Sequence, residues 1–159
     1  MAGETENNIW PLPKFYFSVT GLNSSTTAVS FQEVTGLQSE NTPIEYRAGD
    51  NPSFYPIKMP GLGKVGNVTM RKGIFVNDVT LWTWFNAIKF NTIARSTVVV
   101  SLLATDAGGT AQPAMVWTLN NAFAIKITGT DLKSEGNEVA VESIDIAYET
   151  LTINAPSVS

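Results

Sequence analysis

Alternation of apolar and polar side chains at every second residue runs through most of this chain, and it restricts the fold to packed or curled antiparallel strands. Phe15, Phe17 and Val19 alternate with Tyr16, Ser18 and Thr20, and Gly21 with the polar run Asn23 to Thr27 closes the segment. The same pattern predicts strands at about Ala28 to Val34, Val65 to Ile74, Thr97 to Ala104, Ala114 to Leu119, Phe123 to Thr128 and Glu138 to Ile153. In the last of these, Val139 and Val141 share one face, Ile144, Ile146 and Tyr148 the other, and Leu151 and Ile153 the first again. Two such phase slips predict bulges, or a bend that carries the strand from one packing partner to another. One segment departs from the strand period: Leu81, Trp82, Phe85 and Ile88 recur at three- and four-residue spacing behind Asn77 or Asp78, either of which suits an N-cap. That predicts a single α-helix. Trp82 and Trp84 lie two residues apart on it and face roughly 200° from each other, so the pattern sends Trp82 to the core and Trp84 to the surface or an interface. No internal repeat or low-complexity tract stands out.

The segment between residues 40 and 60 reads differently. Pro43, Pro52, Pro56 and Pro60 exclude a central strand, since proline cannot donate to a ladder. Ile44-Glu45-Tyr46-Arg47 and Phe54-Tyr55-Pro56-Ile57 instead look like short extended arms around the turn Ala48-Gly49-Asp50-Asn51, an exposed hairpin or long loop. Apolar projections of this kind usually meet a partner.

At 159 residues the chain has the length of one domain, enough to bury about two-thirds of its unfolded surface around one core. Ten Lys plus Arg against 14 Asp plus Glu leave a net charge of -4, with no basic excess for phosphates or anionic lipid. Cysteine and histidine are both absent, which excludes disulfides, thiolate nucleophiles, Cys/His zinc sites and His-based triads. Only 15% of residues are charged, against about 25% on average, so the surface is largely neutral. Residues 1–8 carry two acids, no base and no apolar run after them, which reads as no signal peptide. The uncharged stretch between Asp106 and Lys126 is interrupted by Gly108, Gly109, Pro113, Asn120 and Asn121, so it does not read as a membrane span.

Gly61-Leu62-Gly63-Lys64-Val65-Gly66 matches the dinucleotide-binding pattern G-x-G-x-x-G, yet that motif needs a helix behind it, and Asn67-Val68-Thr69-Met70 is strand-like. The glycines are better read as permitting a bent loop, and no cofactor is expected. Glu138, Glu142, Asp145 and Glu149 could supply two carboxylates to a cleft, but strand parity sends Glu138 and Glu142 one way and Asp145 and Glu149 the other. A solvated or interface-facing row is the expectation. No Ser-x-x-Lys or Gly-x-Ser-x-Gly occurs, and the chain reads as non-enzymatic, with no metal site. Trp10, Trp82, Trp84 and Trp117 suit core or subunit packing better than a sugar platform, although a monomeric carbohydrate-binding β-sandwich is the alternative of a different class.

Taken in order, several segments resemble the tail tube proteins of contractile phages and related contractile injection systems. They are Phe15-Tyr16-Phe17-Ser18-Val19 behind Pro11-Leu12-Pro13, Phe31-Gln32-Glu33-Val34-Thr35-Gly36-Leu37, Ile44 to Gly49, and Lys58-Met59-Pro60-Gly61. Val68 to Gly73, Leu81-Trp82-Thr83-Trp84-Phe85, Trp117 to Phe123 and Asn137 to Glu142 continue the series, which covers about Trp10 to Ile153.

The resemblance implies a mainly β fold, an antiparallel β-sandwich or distorted β-barrel with one α-helix, spanning residues 1–159 as one domain. Residues 1–13 would be an N-terminal extension, 40–60 a projecting hairpin and 154–159 a C-terminal tail. It implies hexameric rings stacked head to tail into a hollow tube, inside a contractile sheath and between baseplate or spike proteins and a tube cap, with protein cargo or DNA in the lumen. Such a particle is assembled in the bacterial cytoplasm and can be released from the cell, and the tube has no membrane anchor of its own. An Hcp-like type VI secretion tube is the nearest alternative. On this reading Ile44, Tyr46, Arg47, Asp50, Phe54, Tyr55, Ile57 and Trp84 are the expected stacking or interface residues, with Thr118, Asn120, Glu138 and Glu142 as lumen candidates.

Overall fold

The computed structural model describes residues 16–50, 52–88, 93, 95–105, 108–136 and 139–156. The N-terminal extension with Trp10, the first residue of the opening strand (Phe15), the start of the Asp106 turn, Glu138 and the end of the C-terminal tail lie outside them. The strands are β1 (Phe17–Thr20), β2 (Glu33–Thr35), β3 (Ser39–Tyr46), β4 (Ile57–Val65), β5 (Val68–Gly73), β6 (Ser96–Thr105), β7 (Ala111–Thr128), β8 (Val141–Ala147) and β9 (Thr150–Asn154). A 3-10 turn at Leu22–Ser24 follows β1, and the helix α1 (Thr80–Asn86) sits between β5 and β6.

Seven strands form one antiparallel sheet in the order β1-β6-β7-β8-β5-β2, with β9 also paired to β7. The chain between Val29 and Thr35 draws the two ends of this sheet together. The Val29 N–H donates to the Val19 carbonyl at 2.8 Å and the Gln32 N–H to the Arg71 carbonyl at 2.7 Å, so one segment touches both terminal regions. The sheet therefore curls into a distorted barrel around Val19, Val68, Met70, Val98, Leu119, Ile144 and Ile146, all fully buried. Helix α1 covers the barrel through Leu81 and Trp84, packed on β7 and the 3-10 turn.

Several boundaries differ from the sequence expectation, each for a local reason. The strand predicted at Ala28 to Val34 is only a single bridge at Val29 followed by three-residue β2, because this segment crosses between sheet ends instead of running along one neighbour. The strands predicted at Ala114 to Leu119 and Phe123 to Thr128 are one, β7, 18 residues long. Asn120-Asn121 looks like a turn, but Asn121 adopts φ 54° inside the strand, a conformation asparagine tolerates. There β7 changes partner, from β9 (Val116 to Asn120) to β8 (Phe123 to Thr128). The long final strand is divided at Tyr148 and Glu149 into β8 and β9, so the second phase slip marks the expected change of packing partner.

A short repeat also went unread. Val19-Thr20-Gly21-Leu22 recurs as Val34-Thr35-Gly36-Leu37, and each copy ends an edge strand. Gly21 and Gly36 take φ 90° and 91°. A Cβ would lie 2.0 Å from the Thr97 carbonyl oxygen at Gly21, and 2.3 Å from that of Asn67 at Gly36, so both elbows admit only glycine.

Candidate assembly surfaces

The β3–β4 ribbon forms a sheet of its own, and among the described residues it pairs with no other strand. It extends beyond the predicted arms: Tyr46 opposes Ile57 at the outer end and Ser39 opposes Val65 at the base. An extra residue in β4 between the Asn41–Gly63 and Pro43–Pro60 pairs bends the ribbon. Gly61 lies there, where a Cβ would come 2.2 Å from the Thr42 carbonyl oxygen. The G-x-G-x-x-G residues are thus mostly ladder rather than bent loop, and β5 follows them where a nucleotide site would need a helix.

Alternation gives the outer half of the ribbon two unlike faces. Ile44 opposes Met59 and Tyr46 opposes Ile57 on one face, while Glu45 opposes Lys58 on the other. All four apolar residues are about half exposed. At the turn, the Arg47 guanidinium donates through Nε and Nη2 to the Ser53 carbonyl, both at 3.3 Å, and the Tyr55 N–H donates to Ser53 Oγ at 3.2 Å. Arg47 therefore braces the turn that holds out Phe54 and Tyr55, which are 91% and 78% exposed. Asp50 is also exposed on this turn, and Asn51 lies outside the described residues.

Trp84 is not an interface residue: it is fully buried, and Trp82 is the exposed one. Leu81 and Trp84, three apart, select the buried face of this seven-residue helix, and the predicted Phe85 and Ile88 are partly buried against the same core. Trp82 instead packs edge-on against Phe85 with ring centroids 6.2 Å apart. A sugar platform built on Trp84 is excluded with it. The elbow between β5 and α1 exposes further apolar side chains, Ile74 at the end of the predicted strand and Phe75, Val76 and Val79 beyond it. Their signal was the run Ile74-Phe75-Val76 between two charged positions and the helix start. Met59 and Leu62 are likewise exposed on the ribbon and were not singled out.

Glu142 is not on a solvated row. It is buried, 3.5 Å from Lys72 Nζ, and the fully buried Lys72 is also hydrogen-bonded to Asp78. Asp78 accepts from the Thr80 hydroxyl at 2.7 Å and backbone N–H at 3.2 Å, tying the charge cluster to the first turn of α1. The Lys72 hydrogen bond, with those from Thr80, lowers the Asp78 pKa from 3.8 to about 2. Glu142 lies on the same face as Ile144 and Ile146, which is the face turned into the barrel. The other carboxylates are separately engaged: Asp145 accepts from the Thr69 hydroxyl at 2.8 Å, and Glu149 from Arg95 at 2.7 Å and Asn121 at 2.8 Å. Among the described residues, no group of three carboxylates could hold a metal.

The barrel wall has two chemically distinct halves. Strands β1, β6 and β9, and β7 as far as Ile125, contain no charged residue, while Arg95 and Glu149, each one residue outside a strand, form an ion pair against Asn121 and Phe123 of β7. On the outward face of these strands Ser18 opposes Ser101, and Thr20, Val99, Thr118 and Thr152 form a row across four strands. Asn120 donates to the Thr150 hydroxyl at 2.9 Å in the next row. The other half, β2, β5, β8 and the end of β7, carries Glu33, Arg71, Asp145 and Lys126, with Arg71 and Glu33 3.6 Å apart.

Residues 13–152 match the family of T4-like virus tail tube protein gp19. The fold is similar to a chain in the sheath-tube complex of PVC, an extracellular contractile injection system, in its extended state: 28% identity over 98% of this chain and 99% of that one, TM-score 0.82. A chain of the anti-feeding prophage tube-terminating cap is 31% identical over 92% of this chain and 93% of that one, TM-score 0.79. Hcp1 from Flavobacterium johnsoniae shares the fold alone, at 13% identity over 89% of this chain and 97% of that one, TM-score 0.52. No curated protein matches the sequence.

Proposed function

Because the chain belongs to the T4-like virus tail tube family and is a structural tube subunit of contractile injection systems, we propose that it assembles into hexameric rings joined by the β3–β4 ribbon. Rings stack head to tail, a heterologous contact that repeats along the axis without closing. The observation that carries this reading is the ribbon itself. A two-stranded hairpin is marginal in water alone, yet this one turns Ile44, Tyr46, Ile57 and Met59 to one face with no further strand beside it among the described residues. Covering each half-exposed side chain on a neighbouring subunit contributes about 1 kcal/mol, and each joint recurs in every subunit of every ring. Phe54, Tyr55 and Asp50 at the turn extend the same contact.

A contractile sheath outside the tube, a cap at one end and a baseplate with spike at the other are its partners in this reading. The PVC relative's place in a sheath-tube complex and the second relative's place in a tube-terminating cap support it. The tube conducts or carries protein or DNA, and its role is mechanical rather than catalytic. Deleting residues 43–57 tests the arm. The barrel, which among the described residues shares no ladder with the ribbon, should still fold while electron microscopy finds no tubes; tubes persisting in the deletion would sink the assignment.

A further inference from the structure

We infer that the β5–α1 elbow is the surface that receives the β3–β4 ribbon of a second copy of this chain. The inference rests on the tube reading above and adds the acceptor to it. A heterologous contact repeated along an axis needs two different surfaces of one subunit, facing opposite ways. Strand β5 separates two such surfaces. Both ribbon strands spring from its start: β4 ends at Val65, just before Val68, and β3 begins at Ser39, after β2 has ended at Thr35 opposite Thr69. The Gly66 N–H donates to the Gln38 carbonyl at 3.3 Å and closes that root. The elbow starts where β5 ends, at Gly73. Root and elbow are therefore one six-residue strand apart, roughly 20 Å at about 3.3 Å per residue.

The two surfaces also match in chemistry and size. Ile74, Phe75, Val76, Val79 and Trp82, all exposed, fall within the nine residues 74–82. Off the ribbon, the other exposed large apolar residues among the described ones stand singly along the chain, as on an ordinary surface. Val139 adjoins the elbow, since its side chain and that of Phe75 both come within 4.0 Å of a Cβ placed on Gly73. At about 200 Å² for a full large side chain, the exposed fractions amount to roughly 600 Å² on the elbow and roughly 750 Å² on Ile44, Tyr46, Phe54, Tyr55, Ile57 and Met59 of the ribbon. That is close to the roughly 800 Å² per partner of a standard interface. The elbow is held in shape as well. The Ile74 N–H donates to the Ala140 carbonyl at 2.9 Å and the Asp78 N–H to the Phe75 carbonyl at 3.2 Å, a turn that carries Val76 at 93% exposure. Buried Lys72 pins that turn from inside through Asp78. A surface already in its docked shape loses little entropy on association.

Photocross-linking of the full chain tests the assignment. Tyr46→p-benzoylphenylalanine, on the apolar face of the ribbon, is assembled with an equal amount of the parent chain labelled with heavy nitrogen. Electron microscopy scores tubes, and with them the tube reading, independently of where the cross-links land. After irradiation and trypsin, the cross-linked partner should be the heavy peptide of residues 73–89, released by cleavage after Lys72 and Lys89. Phe54 carries the probe instead if the Tyr46 variant alone fails to assemble. Tubes whose cross-links fall on other peptides would overturn the inference, leave the tube reading standing and free the elbow for a different protein. A parent chain that forms neither rings nor tubes at any concentration would overturn both. Val76→Glu gives a second readout. The free chain should keep the parent's melting temperature, because the side chain is exposed, whereas an unpaired carboxylate in the joint should raise the concentration needed for assembly by about tenfold or more. Assembly at the parent's concentration would overturn the inference too.

Discussion

Replacing Lys72 by methionine is the sharpest perturbation of this fold. Its ammonium is 1% exposed and meets two carboxylates, Asp78 by hydrogen bond and Glu142 at 3.5 Å, with the Phe75 ring centroid 6.0 Å away. Methionine has nearly the same length and can fill the space, so little packing is lost. The charge is another matter, because Glu142, with a side chain 8% exposed, would be left buried without its cation. Breaking a buried pair in this way costs about 3–5 kcal/mol. For a domain of this size that is a drop of about 6–20 °C in Tm. Urea and thermal unfolding of the unassembled chain, followed by circular dichroism, would measure it. The double variant Lys72→Met with Glu142→Leu removes both charges, and it should recover most of the loss. The pH dependence supplies a second readout. Asp78 has its pKa lowered from 3.8 to about 2, so its contribution is complete above pH 3.8 and is lost as pH falls through 2. That acid limb should flatten in Lys72→Met. A single variant within about 1 kcal/mol of the parent, or a double no more stable than the single, would refute the reasoning.

Trp84→Ala should destabilise the free chain by about 3–5 kcal/mol, as expected for emptying a fully buried aromatic site, while Trp82→Ala should cost under about 1 kcal/mol; chemical denaturation separates them, and equal losses would contradict the assigned helix face. Gly36→Ala should cost more than about 2 kcal/mol, because strain at φ 91° adds to a Cβ 2.3 Å from the Asn67 carbonyl oxygen. A Tm unchanged in that variant would show that the elbow can relax.

Much of the architecture could be read from periodicity, because a sheet with one wet face writes its alternation into the sequence. The β1 pattern, the single helix, the proline-bounded ribbon and the change of partner near Tyr148 were all visible this way. What escaped were features set by tertiary neighbours. Asn121 keeps β7 continuous where an Asn-Asn pair suggests a turn, because strands on both sides hold it in the sheet. The face of α1 turned on which of two tryptophans the 3-10 turn and β7 would accept. Lys72 and Glu142 look like surface charges until the strands that carry them are paired and each proves to satisfy the other. The Thr-Gly-Leu elbows were in plain view but too short to register as a repeat. Of the candidate assembly residues, the ribbon set stands exposed as expected, and Trp84 and Glu142 do not.

The ribbon's separation from the barrel has an evolutionary consequence. Residues that keep the subunit folded, from Val19 to Ile146, and residues such as Ile44, Tyr46, Phe54 and Ile57 belong to different sheets. Selection can therefore rewrite the outer half of the ribbon without eroding the barrel's melting point, and in the proposed assembly its drift is constrained by the surface that receives it. In the proposed assembly donor and acceptor surfaces lie on the same gene product, so they must change together. Two such tubes expressed in one cell can diverge in this pair of surfaces and cease to co-polymerise while their barrels remain superimposable.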